Sequence, residues 1–416
     1  MAAPLGGMRI VDLSMFMSGP LVTLIAADLG ADVIKVESLQ RIDGWRGASA
    51  ANGATGPTWE GSPAFNWINR NKRDITLNLG DPRGSALLKR LVALADVVVE
   101  NFTPRVMANF GLSYEELREV KPGIIVISMP GFGLDGPWRD YTAFAWTTEQ
   151  MAGISHITGY EGGPPMFTNS TGGDPLAGLM GAVALFAALQ HRRQTGEGQH
   201  VDLSQLEAAT MFTGDVLMGA AYSGSDPGRQ GNKSQVMAPH NVYHCADGSW
   251  LAVACRADDE WSRLATILGR PGLAVEGSVY STAAGRLAHR GEIDALVQAW
   301  AGTVDAHDAM HLLQGQGVAA GVVLDGQQLL EDPHLAARQF FVEQERPWVG
   351  TKHYPGQPFR LSGYEWPAVE PAPVLGQHNS EVLGGLLDLS DHELIELEGA
   401  DIIGTVPVAA RALAAQ

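Results

Sequence analysis

Cysteine is almost missing from this chain. Two residues in 416, Cys245 and Cys255, exclude a disulfide-stapled scaffold, and nothing near them has zinc-site spacing. Reduced thiols, and with them a cytoplasmic protein, are the expectation. Positive charge is also scarce: 28 Lys and Arg against 46 Asp and Glu leave a net charge of −18. That balance argues against nucleic acid or an anionic membrane surface as the main partner. Any polyanionic ligand must then be met by a few local cations and by helix ends. No unbroken apolar run reaches the ~18 residues that mark a spanning helix, so none is expected. Residues Met1 to Gly7 lack the charged start and apolar stretch of a secretory signal. The first strand-to-helix crossover lacks a GxGxxG run; Ser18-Gly19-Pro20 stands in its place, which weakens a nucleotide-dehydrogenase reading.

What the chain does have is glycine, 50 residues, and a repeated alternation of short apolar runs with helical patterns. Met8 to Leu13 reads as a strand, Ser18 to Leu29 as a helix and Asp32 to Val36 as a second strand, a βαβ unit in about thirty residues. Strands near Ile75 to Leu79, Val97 to Val99 and Ile124 to Ser128, with a helix from Pro82 to Leu94, continue the pattern. The prediction is an α/β fold with a doubly wound parallel sheet over residues 1–222. A smaller α+β domain is expected over 228–325, opening with an antiparallel hairpin from Asn241 to Cys255. Long helices are expected over Leu176 to Thr195 and Ser204 to Tyr222. The Pro- and Gly-rich segment 332–416 is too poor in core to stand alone and is expected to return to the large domain or to a partner subunit.

Asp174, in Thr171-Gly172-Gly173-Asp174-Pro175, is the most informative single residue. A lone carboxylate at the mouth of a small-residue helix suits covalent catalysis, because it can attack a carbonyl and form a mixed anhydride. The helix N-terminus supplies N–H donors for a developing oxyanion and favours the ionised carboxylate. An isolated Asp-Pro is ordinarily just a helix cap, and the surrounding motifs are what shift the balance.

Those motifs run in order along nearly the whole chain. They are Gly7-Met8-Arg9-Ile10-Val11-Asp12-Leu13-Ser14 with Gly19-Pro20, Ala27-Asp28-Leu29-Gly30-Ala31-Asp32-Val33-Ile34-Lys35-Val36-Glu37, Asn69-Arg70-Asn71-Lys72-Arg73, Val99-Glu100-Asn101-Phe102, Gly131-Phe132-Gly133, and Arg193-Gln194-Thr195-Gly196-Glu197-Gly198-Gln199. Together they resemble the family III CoA-transferases. The resemblance implies a Rossmann-like large domain, a small domain, and a homodimer in which each chain threads through a ring made by the other. It implies CoA exchange between an acyl-CoA and a free carboxylic acid, with coenzyme A as substrate, no tightly bound cofactor and no metal. Asp174 takes the nucleophile's place about twenty residues before the Arg-x-Thr-Gly turn. By position in the motifs, Met17, Ser18, Leu77, Asn78, Leu79, Asn101, Phe102, Thr103 and Arg105 are the candidate CoA-binding residues. Of these, Asn101 is a candidate partner for the pantetheine amides.

The chain departs from the formyl-CoA branch where phosphates would bind. Ser38, Gly80 and Asn109 stand where that branch has cations, and Met17 where it has glutamine. Arg41, Arg46, Arg73 and Arg105 are near enough in sequence to compensate, and Arg70, Lys72 and Arg73 form a compact basic run. Phe144, Trp146, Met151, Met166 and Phe167 suggest a partly apolar acyl group. Two rival readings share the fold: a 2-methylacyl-CoA racemase, which needs a proton-transfer pair, and a CoA-binding subunit that works only beside a partner. Tyr141 to Trp146 contains no histidine where the racemases carry one.

Overall fold

The computed structural model describes residues 3–47, 55–169, 172–226, 228–364, 366 and 368–414. Six strands form one sheet: β1 (Arg9–Asp12), β2 (Asp32–Glu37), β3 (Lys72–Thr76), β4 (Val97–Glu100), β5 (Ile125–Ser128) and β6 (His200–Asp202). Their order is β3-β2-β1-β4-β5-β6 and every pair is parallel. Runs such as Val97-Val98-Val99 and Ile125-Val126-Ile127 are buried throughout, as strands covered on both faces must be. One face packs on the helices Ser18–Asp28 and Gly173–Thr195. The other packs on the helix Pro82–Ala93 and on Val382, Leu383 and Ile402 from the C-terminal segment.

The chain divides into two compact units, the first made of residues 1–155, 167–219 and 336–416, the second of 156–166 and 220–335. The C-terminal segment thus belongs to the sheet-bearing unit, and the excursion 156–166 belongs to the other. The second unit carries β7 (His240–His244), β8 (Trp250–Ala254) and β9 (Ala319–Val322), all antiparallel, over a core that includes Trp261, Leu251 and Val253. Cys245 and Cys255 are both buried and free there.

Four local expectations are corrected. The third strand begins at Lys72 and ends at Thr76, so Leu77 to Gly80 leave the sheet as a loop. The helix expected from Ser204 to Tyr222 is two helices, Gln205–Met211 and Gly214–Ser223, separated by a turn in which the N–H groups of Phe212 and Thr213 bond three residues back, to Ala209 O and Thr210 O (both 3.1 Å). A hairpin, β10 (Phe341–Arg346) with β11 (Gly350–Pro355), forms in the Pro- and Gly-rich C-terminal segment, where no strand was expected. Finally, Gly173–Thr195 is long and apolar enough to cross a membrane by length and composition. Here its inner face is small rather than greasy: a Cβ on Gly178 would lie 2.9 Å from Ser18 O and 2.8 Å from Leu21 Cδ2. Glycine is what lets this helix seat against Ser18–Asp28 and bring Asp174 to the sheet's carboxyl edge.

Candidate active site

In a doubly wound sheet the strand order reverses where the chain first turns back, and the loops leaving the two central strands splay apart into a crevice. Here those strands are β1 and β4, and the loops are residues 13–18 and 101–105. Asn101 laces them together. Its Oδ1 accepts from Met15 N (2.9 Å), and its Nδ2 donates to Met15 O (2.7 Å) and Ser18 Oγ (3.1 Å). Its two N–H donors are therefore spent on positioning loops, and Oδ1 accepts one bond of the two it can take. Beneath it, Glu100 accepts from Phe102 N (2.8 Å), and burial pushes its carboxyl up to about 7.

Asp174 is the second residue of its helix, which begins at Gly173, three residues before the start expected at Leu176. The turn before it is held by Glu149, a fully buried carboxylate. Glu149 accepts from Thr168 N (2.7 Å), Thr168 Oγ1 (2.9 Å) and Gly172 N (3.0 Å). Gly173 fits close under this arrangement, since a Cβ there would lie 2.4 Å from Thr148 Oγ1. The Asp174 carboxylate itself has no hydrogen-bond or ion-pair partner among the described residues. Burial pushes it up to about 6, away from the charged form that the helix end was expected to favour.

Asp174 faces a cavity of about 480 Å³ that is also lined by Ser18, Asn101, Phe102, Thr103 and Arg105. A second cavity of about 290 Å³ holds Leu77, Asn78, Leu79, Ser38 and Gly80. The two share Met15, Arg41, Phe102 and Val106, so they form one groove along the carboxyl ends of β1 to β4. Of the nine candidate CoA-binding residues, only Met17 lies off this groove, packed with Leu24 and Ile68. Phe144 and Trp146 line the Asp174 end, where Phe16 meets Phe144 edge-on at 6.1 Å. Met151 and Phe167 line neither cavity, and Met166 belongs to the second unit. Gln205, Phe16 and Trp45 line the site and carried no sequence motif that would have marked them.

The basic residues sort sharply. Arg46 is fully buried between Glu37 (2.7 Å) and Glu60 (2.9 Å), Arg70 pairs with Asp28 (2.6 Å), and Lys72 with Asp12 (3.0 Å). Arg73 binds Asp32 (2.6 Å) and Glu381 (2.9 Å). None of these is free to attract a nucleotide, which corrects the expectation that Arg46 and Arg73 could compensate for the missing phosphate cations. Arg41 and Arg105 are exposed, line the groove and have no ion-pair partner among the described residues.

A parallel doubly wound sheet, with a carboxylate that has no partner among the described residues in the groove at its switch point, defines an α/β protein with a ligand crevice at the sheet's carboxyl edge. The sequence model of CoA-transferase family III matches residues 5–379, and the chain belongs to that family. It is 36% identical over 408 residues to the succinyl-CoA–D-citramalate CoA-transferase of Chloroflexus aurantiacus, covering 96% of this chain and 98% of that one. It is 31% identical to the succinyl-CoA–L-malate CoA-transferase alpha subunit of the same organism, over 96% of this chain and 92% of the relative. Among solved structures, a CaiB/BaiF family protein from Brucella suis superposes with a TM-score of 0.85 at 30% identity, over 93% of this chain and all of that one. Relatives named as CoA-transferases support an enzyme that moves CoA between an acyl-CoA and a carboxylate.

Proposed function

We propose that this chain transfers CoA from succinyl-CoA, or a close relative of it, to a free dicarboxylic acid, with Asp174 as the nucleophile. The observation that carries the reading is the half-buried Asp174 carboxylate, without a partner among the described residues, lining a groove made of two adjoining cavities. A carboxylate Oδ of Asp174 attacks the thioester carbonyl and expels CoA thiolate, leaving an acyl-aspartyl anhydride. The thiolate attacks the aspartyl carbonyl, releasing the donor acid and forming an aspartyl-CoA thioester. The incoming carboxylate attacks that thioester, and the returning thiolate takes the new acyl group from the resulting anhydride. The first free N–H groups of the Asp174 helix supply donors for each oxyanion. The apolar walls at Phe16, Phe144 and Trp146 favour exclusion of water, which would hydrolyse the anhydride.

Arg41 and Arg105 take the CoA phosphates in place of the cations lost at Ser38, Gly80 and Asn109. Phe102, shared by both cavities, packs on pantetheine. The cavity lining contains no histidine, which favours transfer over proton exchange by a racemase. Coenzyme A enters as substrate, and the protein acts in the cytoplasm. An exposed apolar face at Leu179, Val183, Met211 and Phe212 supports a homodimer. The likeness to an alpha subunit supports a two-chain enzyme instead. Light scattering on the chain alone separates these.

The test is intact mass after incubation with succinyl-CoA and a hydroxylamine quench. A hydroxamate on Asp174, absent from Asp174→Ala, is the expected result. Exchange of an α-proton with deuterated water, without any adduct, would mean a racemase.

A further inference from the structure

The Asp174 cavity holds one buried amide that the transfer steps leave unused. Gln205 opens the helix Gln205–Met211 and is only 8% exposed. Its backbone N–H donates to Pro130 O (3.1 Å) and its Nε2 to Met129 O (2.7 Å). A main-chain carbonyl only accepts, so the side-chain atom facing Met129 must be the nitrogen, and this fixes which way the amide is turned. Oε1 is then left without a partner among the described residues, in a side chain that lines the same cavity as Asp174.

Its place within that cavity is at the acyl end. The strip Ala143 to Ala145 lines the cavity and touches both flanks. A Cβ on Gly131, whose carbonyl accepts from Leu206 N (3.0 Å), would lie 2.5 Å from Ala143 Cβ. One on Gly173 would lie 3.1 Å from Ala145 O. Gln205 does not line the adjoining cavity of Leu77 to Gly80, at the far end of the groove.

We infer that Gln205 is a specificity residue that selects carboxylic acids bearing a hydroxyl group on the carbon chain. The inference rests on the reading of Asp174 given above. A fixed carbonyl oxygen with no partner among the described residues, in a side chain that lines the cavity, takes a donor from whatever fills that cavity. A hydroxyl supplies one, a second carboxylate is repelled by the Oε1 dipole, and a methylene strips water from Oε1 and returns nothing. Sites that hydrogen-bond a substrate hydroxyl reject the analogue lacking it because their own polar group is left unpaired.

The experiment compares matched acceptor acids with succinyl-CoA as donor: malate against isotopically labelled succinate, and 2-hydroxyglutarate against glutarate. In the wild type, kcat/KM should favour the hydroxylated member of each pair by about tenfold or more. In Gln205→Met, of similar length but without the amide, the ratio should collapse to within about threefold of unity. Labelling of Asp174 by succinyl-CoA checks that the variant is folded, and the wild-type ratio needs no variant at all. Preference for the plain acids, or an unchanged ratio in Gln205→Met, overturns the inference while Asp174 labelling leaves the transferase reading standing. A uniform loss for all acids with a raised KM for succinyl-CoA assigns Gln205 to pantetheine and also overturns it. No labelling and no transfer to any acid overturns both.

Discussion

Asp12 at the end of β1 and Asp174 at its helix start are both withdrawn from water in the same unit, yet their acidities move in opposite directions. Burial alone would raise Asp12, but Lys72 and Lys35, with hydrogen bonds from Ser14 and Thr23, hold it at about 2. Glu37 behaves likewise: Arg46 and Lys35 overcome its burial and hold it at about 2. Asp174 has no such company, and burial pushes it up to about 6. The difference teaches how one fold handles buried charge. Asp12 and Glu37 are matched to cations, Asp74 beside them is pushed up by burial and by Glu37, and the carboxylate in the groove is left without a partner among the described residues and remains available to react.

The largest effect should come from removing the unmatched group. Asp174→Ala should lower kcat by about 10⁴-fold or more and abolish the covalent adduct, read by CoA exchange and intact mass. Breaking the matched network should act on stability instead. Lys72→Met or Arg46→Met leaves a buried carboxylate uncompensated and should cost about 3–5 kcal/mol in urea unfolding. A small loss in either variant would mean that solvent already screens the network.

The contrast also fixes a pH signature. Asp174 has a raised folded value, so its ionisation opposes folding: the penalty is full above about pH 6 and disappears as pH falls below the ordinary value of 3.8. Asp174→Asn should therefore be more stable than wild type by up to about 3 kcal/mol at pH 7.5, with the gap closing toward pH 4. Asp12 runs the other way: its depressed value contributes stability above the ordinary 3.8 that is lost as pH falls toward about 2. Thermal melts of both proteins across pH 3 to 8 would check the two windows separately. A constant gap would show that Asp174 is better solvated than its surroundings suggest. The smallest effects should come from the unpaired cations. Arg41→Ala and Arg105→Ala should each raise KM for the thioester about tenfold, with a weaker dependence on salt than wild type. Equal losses in kcat would place them at the reacting carbonyl and not on the phosphates.

Much of this was legible locally. The strands β1, β2, β4 and β5 are runs of buried apolar residues that read directly as parallel sheet. Asp174 stood out because glycines and a proline bracket it at a helix start. The basic run at 70–73 misled for a definite reason: Arg70 finds Asp28 and Lys72 finds Asp12 at separations of 42 and 60 residues, pairings that no local pattern encodes. The expected helix from 204 to 222 is interrupted by a turn at Phe212 and Thr213, where Thr213 Oγ1 meets a carbonyl 61 residues back, a contact no local pattern encodes. Gln205 was invisible because a glutamine opening a helix is unremarkable until Met129 O fixes its amide.

By itself, the order of residues determined the alternation of strands and helices, the net negative charge and the carboxylate at the head of a small-residue helix. Each depends on neighbours within a few turns of chain. Only the tertiary structure decided which cations are spent inside the fold, which two are left in the groove, and that Asp174 stands desolvated and alone. Charge pairing and desolvation depend on distances between segments far apart in sequence, and those distances exist only once the sheet has formed.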